Sequence, residues 1–113
     1  MNRRTFGLAA SLAAAALFAP CLAVADDRLA QAIYHMKEAV VQGKQLHDAS
    51  LLAYHADLAL EKAEAIEKFK PDPHTAEAIV HIKAAIEEAR ANHGDAATSH
   101  AQEALGHLEE AAK

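Results

Sequence analysis

The nine residues Ala78–Ile86, AIVHIKAAI, restate Ala32–Val40, AIYHMKEAV. In both, apolar residues recur at alternating steps of three and four, the period of one face of an α-helix. Each copy also carries a histidine and a lysine in register, His35 with His81 and Lys37 with Lys83. At the same offset His47 falls on His93, and after a one-residue adjustment His55 falls on His100. The chain therefore reads as one helical hairpin present twice.

Working outward from the repeat, the helix breakers define the rest. Gly43 lies near a first turn reaching Asp48, Lys70–His74 (KPDPH) makes a second, and Asn92–Asp95 (NHGD) a third. Proline and glycine stand there because they end helices. Four helical segments follow, at 27–44, 49–69, 74–91 and 96–112, with no strand signal between them. Their expected seams are Leu29, Ile33, Met36, Val40; Leu52, Ala56, Ala59, Ala63, Ile66; Ile79, Ile82, Ile86, Ala89; and Ala97, Ala101, Ala104, Leu108, Ala111. None of these helices can bury its seam alone, but four antiparallel neighbours joined by short turns can. The expected fold is all-α, an antiparallel four-helix bundle formed by a duplicated helical hairpin.

The first 25 residues have a different character. Arg3 and Arg4 precede an apolar run from Phe6 to Leu22, which ends in Ala23-Val24-Ala25 ahead of Asp26-Asp27. A basic start, a short apolar run and a small-x-small site describe a cleaved export signal, residues 1–25, leaving 26–113 as the single mature domain. Gly7, Ser11 and Pro20 interrupt the run and argue against a permanent membrane span. The paired arginines followed by Phe6 fit the twin-arginine export form, and the general secretory route accommodates them equally. Either route implies a periplasmic protein. Pro20 stands before Cys21 where a lipoprotein site wants a small residue, so lipidation is not expected.

That segment holds two of the 11 Lys+Arg and none of the 16 Asp+Glu, so the remainder sets nine cations against 16 anions, a formal charge of −7. Such a balance opposes nucleic-acid binding, which depends on neutralising phosphates, and attracts cations. Beyond Cys21 the chain has no cysteine, which excludes disulfides and thiolate metal sites from the mature domain.

The eight histidines follow the helical period. With the seams at heptad positions a and d, His35, His74 and His81 fall at c, and His55, His100 and His107 at g. Both positions flank the stripe, while His47 and His93 lie at the hairpin turns. Histidines placed for core packing would occupy a or d. Carboxylates accompany them at helical spacing: Glu38 beside His35, Glu77 between His74 and His81, Glu103 and Glu110 interleaved with His100 and His107. Residues three or four apart share a face, so imidazole nitrogen and carboxylate oxygen line up together, ligands suited to Cu(II), Ni(II) or Zn(II). Two histidines seven apart are about 10 Å apart in rise, so the period builds a row of half-sites that a carboxylate or a neighbouring helix must complete. Counting from the turns, His35 and His55 should lie level on their hairpin, and His81 with His107 on the other. His47 and His93 stand near turns with Asp48 and Asp95 beside them.

His93–Ala111 (HGDAATSHAQEALGHLEEA), Val40–Leu60 (VVQGKQLHDASLLAYHADLAL) and Ile79–His93 (IVHIKAAIEEARANH) together resemble the small periplasmic metal-binding proteins of ammonia-oxidising bacteria. The resemblance covers nearly all of the mature chain. It implies a His-rich four-helix bundle that binds several divalent metals and takes part in copper handling, with His35, His47, His55, His74, His81, His93, His100 and His107 as ligands. Where the family pattern places further histidines, this chain has Gln42, Lys62, Glu77 and Glu88. Glu77 and Glu88 remain able to ligate, Gln42 is a weak ligand and Lys62 repels a cation, so fewer or weaker sites are expected.

Other classes find less support. No glutamate stands three residues before any histidine, so the Glu-x-x-His pairs of a ferritin-like di-iron site are missing. No C-x-x-C-H occurs for covalent haem, and Met36 is the only mature methionine available to a non-covalent one. The expected function is non-enzymatic: reversible binding, buffering or sequestration of divalent ions, foremost Cu(II), through His and through Glu77 and Glu103. The expected protein is a monomer without nucleic-acid or membrane partners. The competing reading is a periplasmic interaction or chaperone-like module with incidental histidines, for which Leu51, Leu58 and Leu60 outside the second seam would form the surface.

Overall fold

The computed structural model describes the chain from residue 19 onward, and its side chains from Asp27. The expected export signal, 1–25, lies largely outside the described residues. Four helices follow one another: α1 (Ala19–Val41), α2 (Ala49–Phe69), α3 (Pro73–Arg90) and α4 (Gly94–Ala111). Each packs antiparallel on the next, and α4 returns to α1, so the helices form a closed ring with α1–α2 and α3–α4 as its two hairpins.

Local chemistry sets the helix ends. Asp48 caps α2, its carboxylate accepting from the Leu51 N–H at 2.9 Å. Asp72 caps α3, accepting from His74 and Thr75 at 2.8 and 3.2 Å, while Pro73 at the first helical position needs no donor. Between α1 and α2, residues Gln42–Leu46 widen into a π-turn, closed by His47 in the left-handed conformation at φ 52°. Between α3 and α4 the left-handed residue is Asn92, φ 63°, and the His93 N–H returns to the Glu88 carbonyl at 2.8 Å. That bond closes the α3 terminus as a left-handed cap does, with asparagine in place of glycine.

The core is built on alanine. Ala32, Met36 and Ala39 of α1 meet Leu52, Ala53, Ala56, Ala59 and Ala63 of α2. Across the bundle Ala78, Ile82, Ala85, Ile86 and Ala89 of α3 meet Ala97, Ala101, Ala104 and Leu108 of α4. Small residues at the contact let the backbones approach closely, and the larger side chains flank it. Leu29, Ile33, Val40 and Ile79, expected in the seams, are accordingly only partly buried, as are Ile66 and Ala111. Burying Met36, Leu52, Ile82 and Leu108 contributes about 2 kcal/mol each. Gly43 shows how tight the contact is: a Cβ there would collide with the Thr98 hydroxyl of α4 and lie 2.8 Å from Leu52 Cδ1. Thr98 Oγ1 is held in place by donating to the Gly94 carbonyl at 2.7 Å.

On the solvent side, Arg90 reaches Asp57 at 2.9 Å and Lys83 reaches Glu64 at 3.8 Å, joining α3 to α2. Both pairs are exposed and contribute well under about 1 kcal/mol each. Among the described residues no helix is long and apolar enough to cross a membrane.

Candidate metal centre

The same packing that buries alanine raises the flanking histidines to the lips of the two hairpin seams. On α3–α4, His81 Nδ1 lies 3.2 Å from His100 Nδ1. One heptad farther from the turn, His74 Nδ1 lies 3.4 Å from His107 Nδ1. One heptad nearer it, His93 Nδ1 meets Glu88 Oε2 at 2.9 Å. The level partner of His81 is therefore His100, not His107 as expected from counting along the chain. Gly94 does not lie within the turn but opens α4, so the turn is centred before it and every pairing moves by half a heptad on each strand of the hairpin.

His81 and His107 nevertheless touch. Their rings stack at 5.7 Å between centroids with an interplanar angle of 10°. With His74–His107 at 5.6 Å and His81–His100 at 5.5 Å, four rings form one continuous column, His74–His107–His81–His100, alternating between the helices. Histidines seven apart on one helix are thus separated by a ring from the other helix, and the row of isolated half-sites expected from the spacing is replaced by a column of adjoining ones.

Carboxylates complete this column. Glu103 Oε2 approaches His81 Nε2 at 3.2 Å. Glu77, His81 and His107 each present a ligand atom within 4.8 Å of the others, so all three can reach one ion. The hydrogen bond from Lys113 at 2.8 Å, then the Lys113 charge, hold the Glu110 carboxyl below its usual value, with His74 and His107 as the smallest contributors.

The nitrogen separations have a chemical meaning. Two imidazole nitrogens bound at about 2.0–2.1 Å to one tetrahedral ion stand about 3.3 Å apart. The cross-helix pairs, at 3.2 to 3.5 Å, already have that spacing. Without an ion, one neutral ring donates its Nδ1–H to the bare Nδ1 of the other. An ion bound between them would take both Nδ1 atoms, with the donating ring's proton shifted to its own Nε2 so that both rings stay neutral, and the nitrogen spacing would need little change.

The first hairpin carries a single such pair. His35 Nδ1 lies 3.5 Å from His55 Nδ1 on α1–α2, level as the count from the turn implied. Burial, then the His55 and Lys62 charges, hold the His35 ring below the ordinary histidine value, with Glu38 opposing. One heptad farther from the turn, where the second hairpin has His74 and His107, stand Arg28 and Lys62. The repeat register also sets Gln31, Leu58 and Ala65 where the second hairpin has Glu77, Glu103 and Glu110. Carrying the repeat register outward from the duplicated stretch to Arg28 and to Ala65 would have exposed this imbalance from the sequence.

At the turn end of the bundle the remaining candidates separate. Asp48 is committed to capping α2, and His93 pairs with Glu88 rather than Asp95. His47 and Asp95 both line a cleft between the two turns, together with Gly43, Leu52 and Asn92.

A family model described as small metal-binding protein matches residues 3–111. No curated protein matches the chain. The match spans both hairpins and every histidine, and the chain belongs to the small metal-binding protein family.

Proposed function

We propose that this member of the small metal-binding protein family holds divalent ions, foremost Cu(II), on the α3–α4 column, and serves as a buffer or store in the periplasm. One observation carries the reading: imidazole nitrogens from two helices paired at 3.2 and 3.4 Å, with Glu77, His81 and His107 converging on one position. Nitrogen with carboxylate oxygen suits Cu(II), Ni(II) and Zn(II). Met36, the thioether that Cu(I) would seek, is wholly buried in the core, which favours Cu(II) over Cu(I). The two-arginine, apolar, Ala-x-Ala start supports export, and metal loading without turnover fits a site made of ligands alone.

The column borders water, so ions exchange without unfolding, and capacity responds to pH. Only a neutral imidazole can ligate, and an ordinary one takes up a proton near pH 6.5. The test is calorimetric titration with Cu(II) at pH 7.5, beside a variant with His100→Ala and His107→Ala. Saturable binding at micromolar Kd or tighter, reduced in affinity or stoichiometry by the variant, is the expected result. A folded protein with no saturable heat would reject the reading, and binding constant from pH 7.5 to 5 would reject histidine as the ligand.

A further inference from the structure

The α1–α2 seam lies opposite the α3–α4 column in the ring, and its surroundings differ in kind. Tyr34 and Tyr54 stand edge-on to His35 and His55, with ring centroids 5.2 and 5.4 Å apart, and each tyrosine is 57% exposed. Leu51, 42% exposed, and Leu58 extend the same stripe along α2 at helical spacing. In the repeat register these positions correspond to Val80, Ser99, Ala96 and Glu103 on the second hairpin. The first hairpin has thus exchanged a carboxylate and small residues for two tyrosines and two leucines, around a bare pair of imidazoles.

That pair is an incomplete site. Two nitrogens occupy half the positions of a four-coordinate ion, and the counterparts of the completing carboxylates are Gln31, Leu58 and Ala65. The rim is largely apolar, and although Glu38 stands near enough to act on the His35 ring, it does not join His35 and His55 in a three-ligand cluster among the described residues, so the pair stays short of ligands. A second copy supplies what is lacking. Under a two-fold axis through the His35–His55 pair, each chain gives two imidazoles, and the tyrosines and leucines of one rim cover those of the other. Such an interface is isologous, the commonest kind. Glu38 lies on the turn side of the pair and Lys62 on the far side, so antiparallel apposition brings each copy's Lys62 toward the other's Glu38, and no unlike surface is required.

We propose that a divalent ion bridges two copies of this chain through His35 and His55 of each, with Tyr34, Tyr54 and Leu51 closing the interface. The pairing rests on the metal-binding reading above and leaves the chain monomeric without metal. The carboxylate-rich α3–α4 column fills first, and the bridge forms as metal is added beyond it. The two seams face opposite ways, so one molecule can hold ions on its column and pair through its other side.

Sedimentation of the full chain, with and without chelator, against added Cu(II) tests this, with binding heats measured in parallel. The mass should double as Cu(II) passes the capacity of the column and return to that of the monomer on chelation. A His81→Ala/His107→Ala variant should pair at half an ion per chain, and a His35→Ala/His55→Ala variant should bind Cu(II) without pairing. Tyr34→Asp with Tyr54→Asp keeps all four imidazoles and should weaken pairing at least tenfold while leaving the first binding heat unchanged, which guards against misfolding of the histidine variant. Saturable binding by a protein that stays monomeric throughout overturns the pairing and leaves the functional reading standing. Pairing that survives loss of His35 and His55 also overturns it. Absence of any saturable binding removes both.

Discussion

His81 is the hinge of the metal column, and its replacement by alanine is the most demanding single test of it. The ring meets His100 at 3.2 Å, Glu103 at 3.2 Å and the His107 face at 5.7 Å, and it belongs to the cluster with Glu77. Four-ligand structural zinc sites, which include thiolates, bind with apparent energies of about 10–16 kcal/mol, or about 3 kcal/mol per ligand, an upper guide for imidazole and carboxylate ligands. Losing one ligand should therefore weaken the tightest site by about two orders of magnitude. Because His81 serves both neighbouring positions of the column, stoichiometry should fall as well. The fold should be little affected, since the ring is only partly buried and alanine is a good helix former. Competition titration against a chelator of known affinity measures the change, and circular dichroism checks the helices. A His81→Ala protein that binds as tightly as the parent, or that loses no more than a His47→Ala control, would refute the column.

Three further outcomes follow from particular contacts. Gly43→Ala should destabilise the bundle by about 1–3 kcal/mol through collision with Thr98, whereas Gly106→Ala, with nothing within 4 Å of the new Cβ, should be neutral or stabilise by up to about 1 kcal/mol; urea unfolding of the two variants should separate them. Arg28→His with Lys62→His should restore a second imidazole pair to α1–α2 and add metal capacity there, and a titration with unchanged stoichiometry would contradict the register on which this rests. The His35 ring is held below the ordinary value chiefly by burial, then by His55 and Lys62, so on acidification the unfolded chain takes up this proton first. Its contribution to stability is whole above about pH 6.5 and is lost as pH falls through the lower folded value. Melting temperature against pH should show a shallower acid limb in His35→Ala, and an identical limb would contradict the assignment.

The sequence made the helices, their turns and the face of each histidine legible, because period, proline and glycine all act locally. It placed Met36, Ile82, Ile86 and Ala89 in the core correctly but erred by one position at three points, favouring Ile33, Val40 and Ile79 over Ala32, Ala39 and Ala78. Periodicity weights large side chains, whereas close helix approach selects small ones for the contact itself. The exchange of His107 for His100 as the partner of His81 has a similar origin. Gly94 reads as the turn, yet Asn92 adopts the left-handed conformation and leaves Gly94 as the first residue of α4. A shift of a few residues in a turn moves a cross-helix partner by a whole heptad. Spacing alone also made histidines seven apart seem isolated, since the ring that intervenes, such as His107 between His74 and His81, comes from another helix.

The most direct test of the metal column is where the first ion goes. Anomalous diffraction from crystals of the chain loaded with one equivalent of Cu(II) locates it without reference to affinity. The account predicts density on α3–α4, within bonding distance of His81 and at least one of His100, His107 and Glu77. A first ion seated on His35–His55, or at the turn cleft beside His47 and Asp95, with the column left as two hydrogen-bonded imidazole pairs, would contradict it.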